Sequence, residues 1–340
     1  MKGVLKILML TFVFLPAYLH SQTDTIITAD NTVLTGEIKS MEKGVLVMET
    51  SFSDKDFQIE WLKIKQLVSS REFSFVLFDG TRLHGPVSMD SSAFYTVIYD
   101  KIKGPFYVQP SKIVYLKHVK SGKLLDVISL ALDVGYSYTR ANHLNQLNGS
   151  IKGDYYSQFW GVTLLSNTVQ SNQDNIDPTK RTNAELGFRL FMAKDYFASL
   201  NADFNNNSEQ QLKLRSNYNL AFGKFFIHTN RIYFNASLGF AINREIYDNE
   251  NDNRNSTESI FSIQFNLFDI GDLNLFTDAS LYPSLTDNYR LRSSVNFSLK
   301  YDLPRDFYLK TSIDFKYDTK PIEGVAPEDY VFTAGVGWEL

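Results

Sequence analysis

Ser294-Val295-Asn296-Phe297-Ser298-Leu299-Lys300-Tyr301 alternates polar and apolar residues without a break. In a β-strand successive side chains point to opposite faces. One face of this stretch is therefore greasy and the other polar. The same pattern sets Phe261, Ile263, Phe265 and Leu267 against Ser262, Gln264 and Asn266. It also sets Leu309, Ile313, Phe315 and Tyr317 against Lys310, Asp314 and Lys316.

Working outward, the alternation predicts twelve strands. They fall at about 131–140, 146–156, 158–170, 180–192, 195–205, 210–224, 231–247, 257–268, 272–282, 289–302, 306–318 and 329–339. Linkers after odd-numbered strands are long or polar: 140–145, 171–179, 206–209, 248–256, 283–288 and 319–328. Linkers after even-numbered strands are tight, around 157, 193–194, 225–230, 269–271 and 303–305. Long loops on one side and short turns on the other are the layout of an outer-membrane barrel. A soluble sandwich shares the alternation. Strand length, about ten residues or more, favours a tilted membrane strand. So do aromatics near strand ends: Tyr136, Tyr138, Tyr155, Tyr247, Tyr301, Tyr317, Tyr330 and Trp338. Closure of such a sheet would remove the edges that a membrane does not tolerate.

The chain changes character before the barrel. Of 25 asparagines only Asn31 precedes residue 142, and the other 24 lie between Asn142 and Asn296. The Asn-poor half carries an ungapped repeat. Asp30, Thr32, Leu34 and Gly36 recur 49 residues later as Asp79, Thr81, Leu83 and Gly85. Phe57, Lys63 and Ile64 recur as Phe106, Lys112 and Ile113. Asp-Asn and Asp-Gly at the repeat starts suit tight turns that need positive φ. Each unit reads as four or five short strands of an SH3-like or Sm-like barrel. A unit of this size is marginal for a core of its own, so the copies are expected to share an interface. Phe73, Phe75 and Phe78 are expected in that core at strand spacing.

The N-terminus begins with Lys2 and Lys6, an apolar run from Ile7 to Leu15, Pro16 and a small residue at Ser21. This is the layout of a secretory signal peptide. The apolar run is too short for a membrane-spanning helix. The expected organisation is a signal peptide at 1–21 and a periplasmic tandem-repeat domain at 22–120, with repeats of about 26–70 and 75–119. A linker at 121–130 and an outer-membrane barrel at 131–340 follow. An even strand count returns both ends to the periplasmic side.

Composition narrows the function classes. The 340-residue chain has 34 Lys and Arg against 38 Asp and Glu, a net charge of -4, so no basic footprint invites nucleic acid. It contains no cysteine, which excludes disulfides, thiolate metal sites and a thiol nucleophile. The mature His84, His118, His143 and His228 have no partner at metal-ligand spacing. His143 falls in a predicted external loop and His228 in a predicted periplasmic turn. No nucleophile–base pair can be nominated, so no catalytic residue, cofactor or metal is expected. The run from Asp248 to Asn253 is acidic, but it lacks the glycine and the terminal glutamate of a calcium loop.

The polar face of the barrel supplies the candidate functional residues. Its basic members are Lys152, Arg189, Lys213, Arg215, Lys300, Lys310 and Lys316, and its acidic ones Asp133, Asp154, Glu185, Asp203, Asp278, Asp314 and Glu339. Equal numbers point to a lumen knitted by ion pairs or to a weakly selective channel, because a selective pore usually lines itself with one sign.

Gly135 to Arg140, then Asn207-Ser208-Glu209-Gln210-Gln211-Leu212-Lys213-Leu214-Arg215 with Gly223 beyond, and the close from Tyr330 to Leu340, carry a resemblance. From about Ala131 to Leu340 the chain resembles a bacterial family of salt-induced outer-membrane proteins, barrels of unknown function. The resemblance implies an outer-membrane barrel and a link to osmotic or envelope stress, and supplies no catalytic residues. The tandem N-terminal module is outside the family pattern. The close at Trp338-Glu339-Leu340 departs from the terminal aromatic that many such barrels use for assembly.

The fold class expected is all-β: an antiparallel transmembrane β-barrel of about twelve strands after a small tandem-repeat β domain. The expected function is a structural or passive-transport barrel in the Gram-negative outer membrane. Its partners would be outer-membrane lipid and the barrel assembly machinery. A second reading makes the barrel an anchor and residues 22–120 a periplasmic binding module. A third and weaker one is an outer-membrane lipid hydrolase.

Overall fold

The computed structural model describes residues 23–90, 94–119, 128–140, 143–157, 159–174, 176–270, 272–305 and 307–338. The expected signal peptide, most of the expected linker and Glu339 lie outside the described residues. Among the described residues all longer elements are strands, and the helical elements are single 3-10 turns. No helix among the described residues is long and apolar enough to cross a membrane.

The N-terminal sheet system has nine strands. They are β1 (Asp24–Thr28), β2 (Val33–Glu42), β3 (Val45–Glu49), β4 (Phe57–Glu60), β5 (Ile64–Leu77), β6 (Arg82–Met89), β7 (Thr96–Asp100), β8 (Gly104–Val108) and β9 (Ile113–His118). The sequence repeat is reproduced bond by bond. Thr32 N donates to Asp30 Oδ1 at 3.2 Å, and Thr81 N to Asp79 Oδ1 at 2.9 Å. Ala29 N donates to Lys63 O at 2.8 Å, and Phe78 N to Lys112 O at 3.0 Å. Asn31 and Gly80 both take positive φ, 67° and 78°, where Asn and Gly are tolerated. Glycine is also needed at Gly36 and Gly85. A Cβ there would lie 2.2 Å from Glu49 O and 1.9 Å from Tyr99 O.

β5 belongs to both copies. Its first half pairs with β1, and its second half pairs with β9 in the equivalent register: Ile26↔Leu67 becomes Phe75↔Leu116. The last strand of one copy thus runs directly into the first strand of the next. One core fills both units, with Ile26, Ile38, Met41, Trp61, Phe73 and Leu116 fully buried. Phe73 and Phe75 are in that core as expected, but Phe78 is 45% exposed. It follows the end of β5, and the Lys112 ammonium lies 4.3 Å from its ring centroid.

The second sheet is a twelve-stranded antiparallel meander in sequence order. Its strands are β10 (Ile128–Thr139), β11 (Leu144–Tyr156), β12 (Trp160–Gln173), β13 (Ile176–Phe191), β14 (Tyr196–Asn207), β15 (Leu212–His228), β16 (Ile232–Tyr247), β17 (Arg254–Ile270), β18 (Leu273–Pro283), β19 (Leu291–Leu303), β20 (Phe307–Asp318) and β21 (Glu328–Trp338). Several run longer than the alternation alone indicates. β15 continues to His228, so the linker at 225–230 shrinks to a turn. The long loop expected at 171–179 is instead a two-residue connection, because β12 continues to Gln173 and β13 begins at Ile176. The sheet curls into a barrel around a polar interior. Among the described residues β10 and β21 form ladders only with β11 and β20. The expected hydrogen-bonded seam is therefore not seen there. Side chains do reach across the interior: Arg181 on β13 meets Asp329 on β21 at 3.2 Å, and Gln210 reaches the same carboxylate at 3.1 Å.

The repeat module packs against the tight-turn end of this barrel. Asn230 Nδ2 donates to Ser111 O at 3.1 Å and to Ile113 O at 2.9 Å. The Tyr233 hydroxyl donates to Val114 O at 3.3 Å. Arg82 lays its guanidinium over the Phe191 ring, 3.8 Å from its centroid. Burial pushes the Arg82 pKa down to about 10, with Asp195 opposing, so the group is still a cation at neutral pH. A Cβ on Gly80 would strike Asp195 N at 2.4 Å, which shows how closely the repeat turn seats on the barrel.

Candidate functional site: the barrel lumen

The pleat divides the barrel into two surfaces. The outer one is a belt of exposed apolar side chains, among them Leu200, Leu220, Phe222, Leu238, Phe240 and Phe261, each at least half exposed. The inner one encloses a cavity of about 770 Å³. It runs from Arg189 and Phe197 near the tight turns to Gln210, Tyr247 and Pro321 near the long loops. Its wall is dominated by amides and hydroxyls, such as Asn167, Asn201, Asn219, Asn235, Ser262 and Ser294.

Of the charged residues expected to face inward, Glu185, Arg189, Asp203, Arg215, Asp278, Asp314 and Lys316 line this cavity. Asp133, Lys152 and Asp154 do not line it. Cross-strand register nevertheless places them opposite Ser150, Leu165 and Thr163 on the inner face. Ser150 donates to Asp133 at 2.9 Å. Lys300 and Lys310 are Cα partners near the tight-turn end of β19 and β20, away from the cavity. Lys213 lies at the loop rim, 3.5 Å from Asp248.

The long-loop end holds a network that strand alternation did not reveal. Glu245 is 1% exposed and receives the Arg215 Nε at 2.9 Å and the Arg290 Nη2 on both oxygens at 3.0 Å. Arg290 also binds Asp318, at 2.6 Å and 3.1 Å. Beside it, Arg292 forms a two-point pair with the fully buried Glu258, at 3.0 Å and 2.5 Å. Asn243, Ser256 and Tyr247 add hydrogen bonds to the two glutamates. Burial of this many charges requires that each be paired. The β20–β21 loop folds inward here: Ile322 is buried against Leu212 and Tyr247, and Arg254 donates to Lys320 O at 2.5 Å. Arg290 precedes β19, and its acids come from β16 and β20. That convergence is tertiary, and only the clustering of Arg290 and Arg292 beside a turn hinted at it.

The histidines are scattered. His143 meets Asp174 at 2.6 Å at the loop end. His228 meets Asp195 at 3.1 Å at the tight-turn end, stacked on Phe225. His84 contacts Glu72 at 3.1 Å in the repeat module. Among the described residues no three of His, Cys, Asp and Glu converge to hold a metal.

Comparison with known proteins adds the following. The chain is similar to a solved structure described as the NanC porin in a rhombohedral crystal form, at 15% identity and a TM-score of 0.37, over 62% of this chain and 100% of that one. No curated protein matches. A family model matches residues 132–339, more than half of the chain and nearly the whole barrel. The chain therefore belongs to the family described as "Protein of unknown function, DUF481".

Proposed function

We propose that this chain is an outer-membrane barrel whose polar lumen serves passive passage of small hydrophilic solutes, with the repeat module on the periplasmic side. The observation that carries this reading is the split between the two surfaces: an apolar belt outside, and inside it a polar cavity of about 770 Å³. An apolar exterior of this extent is costly in water and favourable in lipid. Twelve strands in sequence order, with the longest connections at 248–253, 284–290 and 319–327 all on one side, fit the same setting. The module's seat on the tight-turn end supports its periplasmic placement, since short turns face the periplasm in such barrels. The salt-induced family resemblance extends the proposal to a role under osmotic or envelope stress.

Conductance of the purified, refolded chain in a planar bilayer tests the reading. Discrete current steps are the expected result. Silence from protein verified as folded would overturn passage and leave a structural barrel.

A second reading, in which the barrel anchors a periplasmic binding module, draws on the aromatic outer face of β7 and β8. Tyr99 and Tyr107 there are 47% and 59% exposed. Specific crosslinking of Tyr107-substituted chains to an envelope component would favour it, and a clean negative would remove it.

A further inference from the structure

Lumen charges that balance along the chain do not balance in space. Arg215 and Arg292 are tied to Glu245 and Glu258, and Arg290 and Arg181 to Asp318 and Asp329. These pairs gather at the long-loop end. Further along the cavity, Glu185 and Asp203 stand directly opposite each other across β13 and β14. Asp278 on β18 lines the same cavity. None of these three carboxylates forms a salt bridge among the described residues. Like charges directly opposite on neighbouring strands destabilise a sheet. Arg189 and Lys316 line the cavity too. Arg189 acts on Glu185 and Asp278, and Lys316 on Asp314, so the three carboxylates still outnumber the one guanidinium beside them.

The carboxylates are framed by oxygen-bearing side chains. Asp203 accepts from Asn217 at 3.3 Å and from Asn219 at 3.2 Å. Asn217 is a cavity-wall residue only 6% exposed, and its Oδ1 has no hydrogen-bond partner. Two carboxylates facing each other across a strand pair, with a third on the same wall, are a setting for positive charge. The attraction is to a hydrated ion passing the wall, since among the described residues no three of His, Cys, Asp and Glu converge there.

We propose that the lumen around Glu185, Asp203 and Asp278 is a cation-attracting zone that makes passage selective for small hydrated monovalent cations over anions. This rests on the passage reading above and names its solute class. The test is the reversal potential of the full chain in a KCl gradient, at low ionic strength where screening is weak. The native barrel is expected to favour K⁺ over Cl⁻ by roughly threefold or more. The Glu185→Gln, Asp203→Asn, Asp278→Asn triple variant should fall close to parity. Asp203→Asn alone, a nearly isosteric change, should give an intermediate ratio, and it serves if the triple variant fails to fold. A native ratio near one, or a preference for Cl⁻, would overturn the inference and leave passage standing. Cation preference unchanged in the variants would overturn the assignment to these residues. A silent folded barrel would remove passage and this inference together.

Discussion

The indole nitrogen of Trp61 donates a 2.8 Å hydrogen bond to the carbonyl oxygen of Pro110, its counterpart 49 residues later in the second repeat. Both residues open a 3-10 turn, Trp61–Lys63 in one copy and Pro110–Lys112 in the other. The two copies therefore meet at equivalent points, as expected for units too small to hold separate cores.

Trp61→Phe should cost the module about 1–3 kcal/mol, because Pro110 O would lose its donor in a buried place. Trp61→Ala should cost about 3–5 kcal/mol through the added cavity. Urea unfolding followed by far-ultraviolet dichroism would check the order of the two effects.

Glu245→Gln and Arg290→Met should each destabilise the barrel by about 1.5–3 kcal/mol, because each removes a charged hydrogen-bond partner from a buried network in which Asp318 or Arg215 still pairs the residue left behind. The double variant should cost less than the sum, since the two residues share one network. Unfolding titrations in lipid vesicles, arranged as a double-mutant cycle, would measure the coupling.

Acid should loosen the repeat module. Burial of Asp100 opposes its charged form. Backbone N–H groups of Lys103, His84 and Ile102 outweigh that and hold its pKa below the ordinary 3.8. The folded value is lower than the unfolded one, so this stabilisation is fully present above the unfolded value and is lost as pH falls through the folded value. Glu72 adds to the trend: hydrogen bonding from Lys101, joined by that from His84, holds its carboxyl below 4.5 against the opposing effect of burial. In a Trp160→Phe, Trp338→Phe background, Trp61 fluorescence should report unfolding below about pH 4. Asp100→Asn should flatten that acid limb.

Asn230→Ala removes both side-chain bonds to the module, from a residue 4% exposed. The two carbonyls it leaves behind should weaken the dock by about 1–3 kcal/mol. Limited proteolysis between the domains should then be faster, with barrel migration on unheated gels unchanged.

Much of this architecture is written locally. Period-two alternation located the barrel strands to within a few residues, as at 329–339 against Glu328–Trp338. The repeat showed because its turns demand the same residues twice. Long-range features were hidden. Arg290 falls within the predicted strand 289–302 at the parity of Ser294 and Asn296, but nothing local tells that it would reach Glu245 and Asp318. Equal counts of lumen acids and bases suggested a lumen knitted by ion pairs or a weakly selective channel. The fold draws several arginines into ion pairs at the loop end and leaves Glu185, Asp203 and Asp278 elsewhere. The division of β5 between two copies is likewise set by pairing partners, which a one-dimensional pattern does not name.

The central claim is that one face of each barrel strand meets lipid and the other meets water. The chain has no cysteine, so single thiols can be introduced without background. Cysteines at Ser294, Val295, Asn296, Phe297 and Ser298 of β19 should be tested in membranes with a small water-soluble maleimide. The account predicts labelling at 294, 296 and 298 and protection at 295 and 297. Uniform labelling, or the opposite alternation, would contradict it.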